Sequence, residues 1–287
     1  MSNTIKYLIC FVSVIQFLSC SIERNPVEPI NTEMIYPLTV GNEWSYVRLF
    51  SSINFRPSHD SIIPPNDMTI LQRSVSSISR KDTLHDTIST YVFRELLDDG
   101  NSTFVGESYL SNHDDGLYLY AYKGISNTSP KVAHSQKISF KGRNFNHIGE
   151  ITSFIENGDW IHSSNFDSLR FENPPLKALP RKYRIGEQWT FRRYIDFLRI
   201  DKKIIGKESI ETHAGNFDCY KVQWLVDFGD NGEWDKDILF FDWISHTGLI
   251  RRNILLKDLI WIGTDGPEPL GKFDGKDEYL LINLRNQ

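Results

Sequence analysis

Cysteine is nearly absent from this chain of 287 residues: Cys10, Cys20 and Cys219 are the whole complement. So few thiols exclude a disulfide-stapled scaffold. Positive charge is in deficit, with 32 Lys and Arg against 37 Asp and Glu, a net charge of -5 and a pI near 5.9. No global field therefore gathers nucleic acid, and a nucleic-acid partner is not expected. Apolar runs stay well short of the roughly 20 residues of a membrane-spanning helix. Local catalytic signatures are missing too: there is no Gly-x-Ser-x-Gly, no His-Glu-x-x-His and no Gly-rich Lys loop for phosphate. What the chain does have is 40% hydrophobic residues, which excludes disorder, and 18 Phe, 12 Tyr and 7 Trp, which favour strands over helices.

The amino terminus reads as an address. One cation, Lys6, precedes a 13-residue apolar run, Tyr7–Ser19, broken only by Ser13 and Gln16. That is the length of a signal-peptide apolar region. The run ends at Phe17-Leu18-Ser19-Cys20 and gives way to the polar, Pro-containing stretch Ser21–Asn31. The arrangement resembles a bacterial lipoprotein signal. Cys20 supplies the thiol for a thioether to diacylglycerol, and Ser19 is small enough to admit the peptidase; Phe17 departs from the usual Leu. The alternative is an ordinary secretory signal. Residues 1–19 are thus expected to be removed and 20–33 to form a lipidated tether, leaving Cys219 as the one free thiol. Each buried acyl methylene contributes about 0.8 kcal/mol, so two or three chains anchor a protein durably.

Beyond Met34 the pattern is an all-β meander of antiparallel strands, forming a sandwich or half-barrel. Strands are predicted over Asn42–Phe50, Thr69–Ser79, Thr87–Leu96, Ser102–Leu110, Leu117–Lys123, Gln188–Leu198, Ile200–Thr212, Phe217–Val226, Asp237–Ile244, Gly248–Leu256 and Tyr279–Leu284. Breaks such as Asp98-Asp99-Gly100-Asn101 and His213-Ala214-Gly215-Asn216 supply residues that tolerate positive φ in tight turns. Residues 124–175 are irregular, and Ile151–Trp160 fits either a short helix or a strand. A weak repeat links Pro37–Tyr46 to Tyr183–Phe191 through an aliphatic-Gly-x-x-Trp pattern, and Gly116-Leu117 to Gly248-Leu249. It suggests two related lobes, 34–175 and 176–287.

The segments YPLTVGNEWSY, DDGLYLYAY, IGEQWTF, IETHAGNFDCYKVQW and HTGLIRR, in that order behind Cys20, resemble bacterial lipoproteins of uncharacterised function. The resemblance implies an extracytoplasmic β body and supplies no catalytic residues. By analogy alone it also suggests the half-barrel sheets that carry lipids or lipoproteins across the periplasm.

Few constellations point to chemistry. The eight His residues (59, 85, 113, 134, 147, 162, 213 and 246) never fall at i,i+2 or i,i+4. Asp227, Asp230, Asn231 and Asp235 place hard oxygen donors in a glycine-containing loop. They are weak calcium candidates, the alternative being a hairpin turn, because no terminal bidentate Glu completes an EF-hand. No other cofactor is expected. Nine cations lie between Arg181 and Lys207, and six acids between Asp227 and Asp242. They form either a basic face for anionic lipid or glycan, or a set of cross-strand pairs. Cys219 reads as a small buried hydrophobe. Tyr118, Tyr120, Tyr122, Trp224 and Trp243 floor a ligand cleft or simply fill a sheet core.

The expected function is a non-catalytic, membrane-anchored envelope lipoprotein whose β body binds or scaffolds an envelope protein, lipid or glycan. The alternatives are a carrier of an apolar ligand in a curved sheet and, third, a hydrolase or glycan-active enzyme with a non-local site. Resemblance to enterobacterial sorting, through Ser21 after Cys20, implies the outer membrane.

Overall fold

Two-residue alternation dominates the chain, and it becomes strand throughout. The computed structural model describes residues 32–62, 67–98, 103–123, 137–157, 168–263 and 268–287; the signal, Cys20 and most of the tether lie outside them. The strands are β1 (Thr32–Glu33), β2 (Glu43–Pro57), β3 (Met68–Leu84), β4 (Ile88–Asp98), β5 (Thr103–His113), β6 (Gly116–Lys123), β7 (Lys137–Phe140), β8 (Arg143–Phe145), β9 (Arg170–Pro180), β10 (Lys182–Tyr183), β11 (Gln188–Tyr194), β12 (Leu198–Thr212), β13 (Gly215–Phe228), β14 (Ile238–Ser245), β15 (Gly248–Ile262) and β16 (Pro269–Arg285). A helix, α1 (Ile148–Asn157), resolves the ambiguous Ile151–Trp160 stretch over its described part. Strands outrun their predicted ends: β2 continues through Ser51–Pro57 and β16 begins at Pro269, because each finds a partner in the other.

All pairings along the main path are antiparallel, in the order β11-β12-β13-β14-β15-β16-β2-β3-β4-β5-β6-β9. The path is one six-strand meander used twice. β2 to β6 and β9 form one run, β11 to β16 the other, and β16 pairs with β2 to join them. The aliphatic-Gly-x-x-Trp segments open the two runs at matching points. Gly41 (φ 96°) and Gly186 (φ 93°) both take the left-handed conformation that glycine adopts without strain. Gly41 N–H donates to Ile78 O at 2.9 Å and Gly186 N–H to Ile204 O at 2.7 Å, and each accepting strand carries a bulge just after that isoleucine. Residues 31–287 nevertheless form one unit, and β9 runs through position 175, where the two lobes were expected to divide.

The sheet curls until its edges β9 and β11 face each other, nearly closing a barrel. Side chains, not a backbone ladder, span this seam. Trp189 Nε1 donates to Lys177 O at 3.0 Å, and Lys202 Nζ to Ala178 O at 3.3 Å. Pro174 and Pro175 in β9 lack N–H groups, which suits an edge strand.

Two apolar clusters fill the interior. One gathers Leu38, Trp44, Tyr46, Ile204, Val222, Ile250 and Leu281 near the end where the chain enters. The other packs Ile148, Ile151, Phe154 and Ile155 of α1 against Phe191, Leu198, Ile200, Trp224, Phe240, Ile254 and Leu256. α1 is buried on nearly every side, and its start is capped reciprocally. Asn146 N–H donates to Glu150 Oε2 at 2.6 Å, while Glu150 N–H donates to His147 Nδ1 at 3.2 Å.

The Gly248 turn tests how the two runs interlock. Trp44 Nε1 donates to Thr247 O at 2.6 Å, and a Cβ on Gly248 (φ 114°) would lie 2.9 Å from that same nitrogen. Gly248→Ala is expected to lower unfolding free energy by about 1–3 kcal/mol. Gly206→Ala, where a Cβ meets open space, should change urea unfolding little.

Candidate functional site

Between the two apolar clusters runs a belt of buried charge, built from residues in the inward phase of successive strands. β2 turns Trp44, Tyr46, Arg48 and Phe50 inward, so Arg48 is carried into the core by its neighbours' phase. Register then places its partners. Lys202 stands opposite Trp224, Asp242 opposite Arg252, Arg252 opposite Tyr279, Tyr279 opposite Arg48, and Arg48 opposite Gln72. These pairs trace a continuous inner band from β12 to β3.

The belt is densely paired. Arg48 meets Asp277 through two hydrogen bonds of 2.9 and 2.7 Å, with both side chains almost wholly excluded from solvent. Arg252 holds Asp242 bidentately at 2.6 and 3.0 Å, and its remaining nitrogen reaches Glu156 on α1. Trp224 Nε1 donates to Asp242 Oδ2 at 2.8 Å and stacks on Phe240 at 4.2 Å. Arg192 donates to Glu156 O at 2.7 Å and pairs with Glu172 of β9, so α1 is tied directly to β11 and β15 and, through Arg192, to β9. Burial pushes the Glu156 carboxyl above its ordinary value, against the pull of the Arg252 guanidinium.

Lys202 differs from its neighbours. It is 5% exposed, has Ala178 O as its hydrogen-bond acceptor, and sits 3.8 Å from the Phe191 ring and 3.9 Å from the Trp224 ring. Burial drives its ammonium down to about 7, although the Asp242 carboxylate opposes the shift. The other cations of the belt are locked by carboxylates and serve to hold geometry.

The charges of the predicted basic segment are therefore divided among three places. Arg192 and Lys202 point inward; on the outer side Arg193 and Arg199 pair with Asp230 and Asp201, Lys203 is half-buried and Lys207 lies 4.4 Å from the Tyr220 ring; and Arg181, Lys182 and Arg184 stand at the rim. The calcium candidates are engaged with the protein itself. Asp227 accepts from Asn231 N–H at 3.1 Å and Gly232 N–H at 2.8 Å; Asp235 accepts from Phe228 N–H at 2.8 Å and pairs with Lys141. Asp230 binds Arg193, and the Asn231 side chain accepts from Glu233 N–H at 2.9 Å. Among the described residues no three His, Cys, Asp or Glu side chains gather as a metal site. Of the aromatics, Tyr122 and Trp224 face the interior. Tyr118 and Tyr120 instead surround His113 on the outside, because β6 is irregular between Leu119 and Ala121. Trp243 lies outside too, its Nε1 donating to Glu208 Oε2 at 2.6 Å. Beside it Cys219 is buried, and desolvation pushes its thiol up to about 12, far from reactive.

A second feature is a small cleft of about 100 Å³ at the chain-entry end, lined by Met34, Ile35, Asn112, His113, Asp114, Gly116 and Arg181. Here Met34–Gly41 crosses the mouth of the barrel as a strap. Tyr36 O accepts from Asn112 Nδ2 at 2.9 Å, and Leu38 enters the core.

Arg48, Asp277, Arg252, Glu156 and Glu172 escaped notice in the sequence. For Arg48 and Asp277 the signal was a charge in the apolar phase of a strand, as in Trp44-x-Tyr46-x-Arg48-x-Phe50 and Phe273-x-Gly275-x-Asp277-x-Tyr279.

No protein-family model matches the chain, and no curated protein matches it. Among solved structures, a candidate lipoprotein from Parabacteroides distasonis ATCC 8503 aligns with 15% identity over 89% of this chain and 100% of its own, with a TM-score of 0.35. A candidate exported protein with a YmcC-like fold from Bacteroides fragilis NCTC 9343 aligns with 8% identity over the same shares, with a TM-score of 0.33.

Two outcomes test the belt. Arg48→Met should cost about 3–5 kcal/mol by stranding Asp277, whereas Arg48→Met with Asp277→Leu should recover most of it in chemical denaturation. Because the folded Lys202 value is depressed, the unfolded chain binds more protons between pH about 7 and about 10, so stability from this group rises with pH there. Compared with Lys202→Met, the wild-type unfolding free energy should climb by up to about 1.4 kcal/mol per pH unit in that window.

Proposed function

We propose that the protein is a lipid-anchored envelope lipoprotein whose barrel acts through its surface, as a binding or scaffolding body, and carries out no catalysis. Cys20, behind its apolar run, takes the lipid; the short polar tether then leads into β1. The observation that carries the reading is the filled interior. α1, two apolar clusters and a belt of mutually neutralising charges occupy the space that a carrier would leave for its ligand. The belt also argues against an enzyme, since its carboxylates are committed to Arg48, Arg192 and Arg252 rather than converging on a free cleft. An outer-membrane location follows from the Ser21 pattern.

Metabolic labelling with a fatty-acid analogue should mark the wild type, and Cys20→Ala should abolish both the label and co-sedimentation with membranes. An unmodified wild-type amino terminus by intact mass would overturn the anchor. Native mass spectrometry of the purified protein should show no stoichiometric lipid beyond the covalent one; a retained apolar ligand would instead favour the carrier.

A further inference from the structure

The rim at which the tether enters carries apolar side chains that the fold does not use. The strap Met34–Gly41 alternates: Tyr36 and Leu38 turn inward, while Ile35 is 54% and Val40 40% exposed. Across the rim Ile185 is 61% exposed. Val40 and Ile185 occupy the same position in the two meanders, each immediately before a left-handed glycine. A rim turn of this kind accepts polar residues readily, so turn geometry does not call for an aliphatic side chain at either place.

Charge accompanies these residues. Lys182 and Arg184 are exposed on either side of the buried Tyr183 and precede Ile185, and neither has a carboxylate partner among the described residues. Of the acids nearby, Glu33 and Asp114 pair with Arg181 and Asp115 with Lys177, while Glu187 turns its Oε2 into a buried position rather than toward either cation. Exposed aliphatics flanked by unpaired cations form the pattern that settles at the boundary of an anionic bilayer.

We propose that this end of the barrel, through Ile35, Val40, Ile185, Lys182 and Arg184, docks on the anionic phospholipid surface that holds the anchor. The inference rests on the lipid anchor at Cys20. Ser21–Asn31 spans at most about 40 Å when extended, and it joins the body at this rim through β1, which pairs with the β10 segment carrying Lys182. Tethering makes the contact intramolecular, so a footprint of a few side chains is enough to orient the body.

The test uses the lipidated protein in vesicles of phosphatidylethanolamine and phosphatidylglycerol with brominated acyl chains. Val40→Cys, Ile185→Cys and, at the opposite end in the loop before β14, Lys236→Cys are labelled one at a time with a fluorophore. The buried Cys219 does not compete for label. Docking gives bromine quenching at positions 40 and 185 and none at 236. Adding Lys182→Glu with Arg184→Glu, both exposed and outside the core, removes the quenching at 40, as does raised salt. If the protein floats with the vesicles but all three labels emit unquenched, docking is wrong and the anchor stands. If the labels at 40 and 185 are shielded from aqueous iodide without bromine quenching, a protein or a second copy covers the rim, and the lipid assignment falls. If the protein does not float, the anchor fails and docking fails with it.

Discussion

The width of the barrel is the constraint from which the rest follows. About eight strands enclose a space that their own side chains can fill, whereas here the path runs through twelve. The excess volume has to be occupied or left to water. α1 occupies part of it, with Ile148, Ile151, Phe154 and Ile155 in the apolar cluster and the buried Glu150 and Thr152 satisfied by hydrogen bonds within the helix and its cap. The strap with Tyr36 and Leu38 occupies another part. The remainder is taken by long arginine side chains whose charges are met by Asp277, Asp242, Glu156 and Glu172. Isolated, any one of these ions would be expensive to bury; arranged as a band, each supplies another's counter-charge.

Such a band does more to specify the structure than to stabilise it. Apolar residues of similar volume would fill the same space, but they would not single out one rotation of α1 inside the barrel. Arg252 and Arg192 do so, because both reach Glu156, one at its side chain and the other at its carbonyl. Glu172 ties the same assembly to β9, on the far side of the seam. The helix and the closure are thus coupled through a single arginine.

Closure is achieved without a continuous ladder. Pro174 and Pro175 leave β9 with fewer donors, and Trp189, Lys202 and Arg192 reach across the seam. The seam is the part of the wall held by side chains alone. It also contains Lys202, whose amine burial depresses, so local electrostatics and barrel closure meet at one residue.

Much of this architecture is legible without coordinates. Period-two alternation marks the strands, the Gly-x-x-Trp openings mark the starts of both meanders, and the run ending in Cys20 marks the proposed anchor, because each depends on residues close together in the chain. The ends of β2 and β16 were not legible, since Ser51–Pro57 and Pro269–Asp277 are weak strand formers that extend only because they pair with each other. The belt was half legible: a charge in an apolar phase can be seen at Arg48, but not that Asp277, 229 positions away, answers it. Local sequence determined the β class, the repeat and the candidate lipid site, through turn chemistry and side-chain periodicity. Tertiary structure alone decided that the calcium-like loop binds its own backbone, that Lys202 is buried and that α1 fills the barrel, because each of these depends on desolvation by partners that only folding brings near.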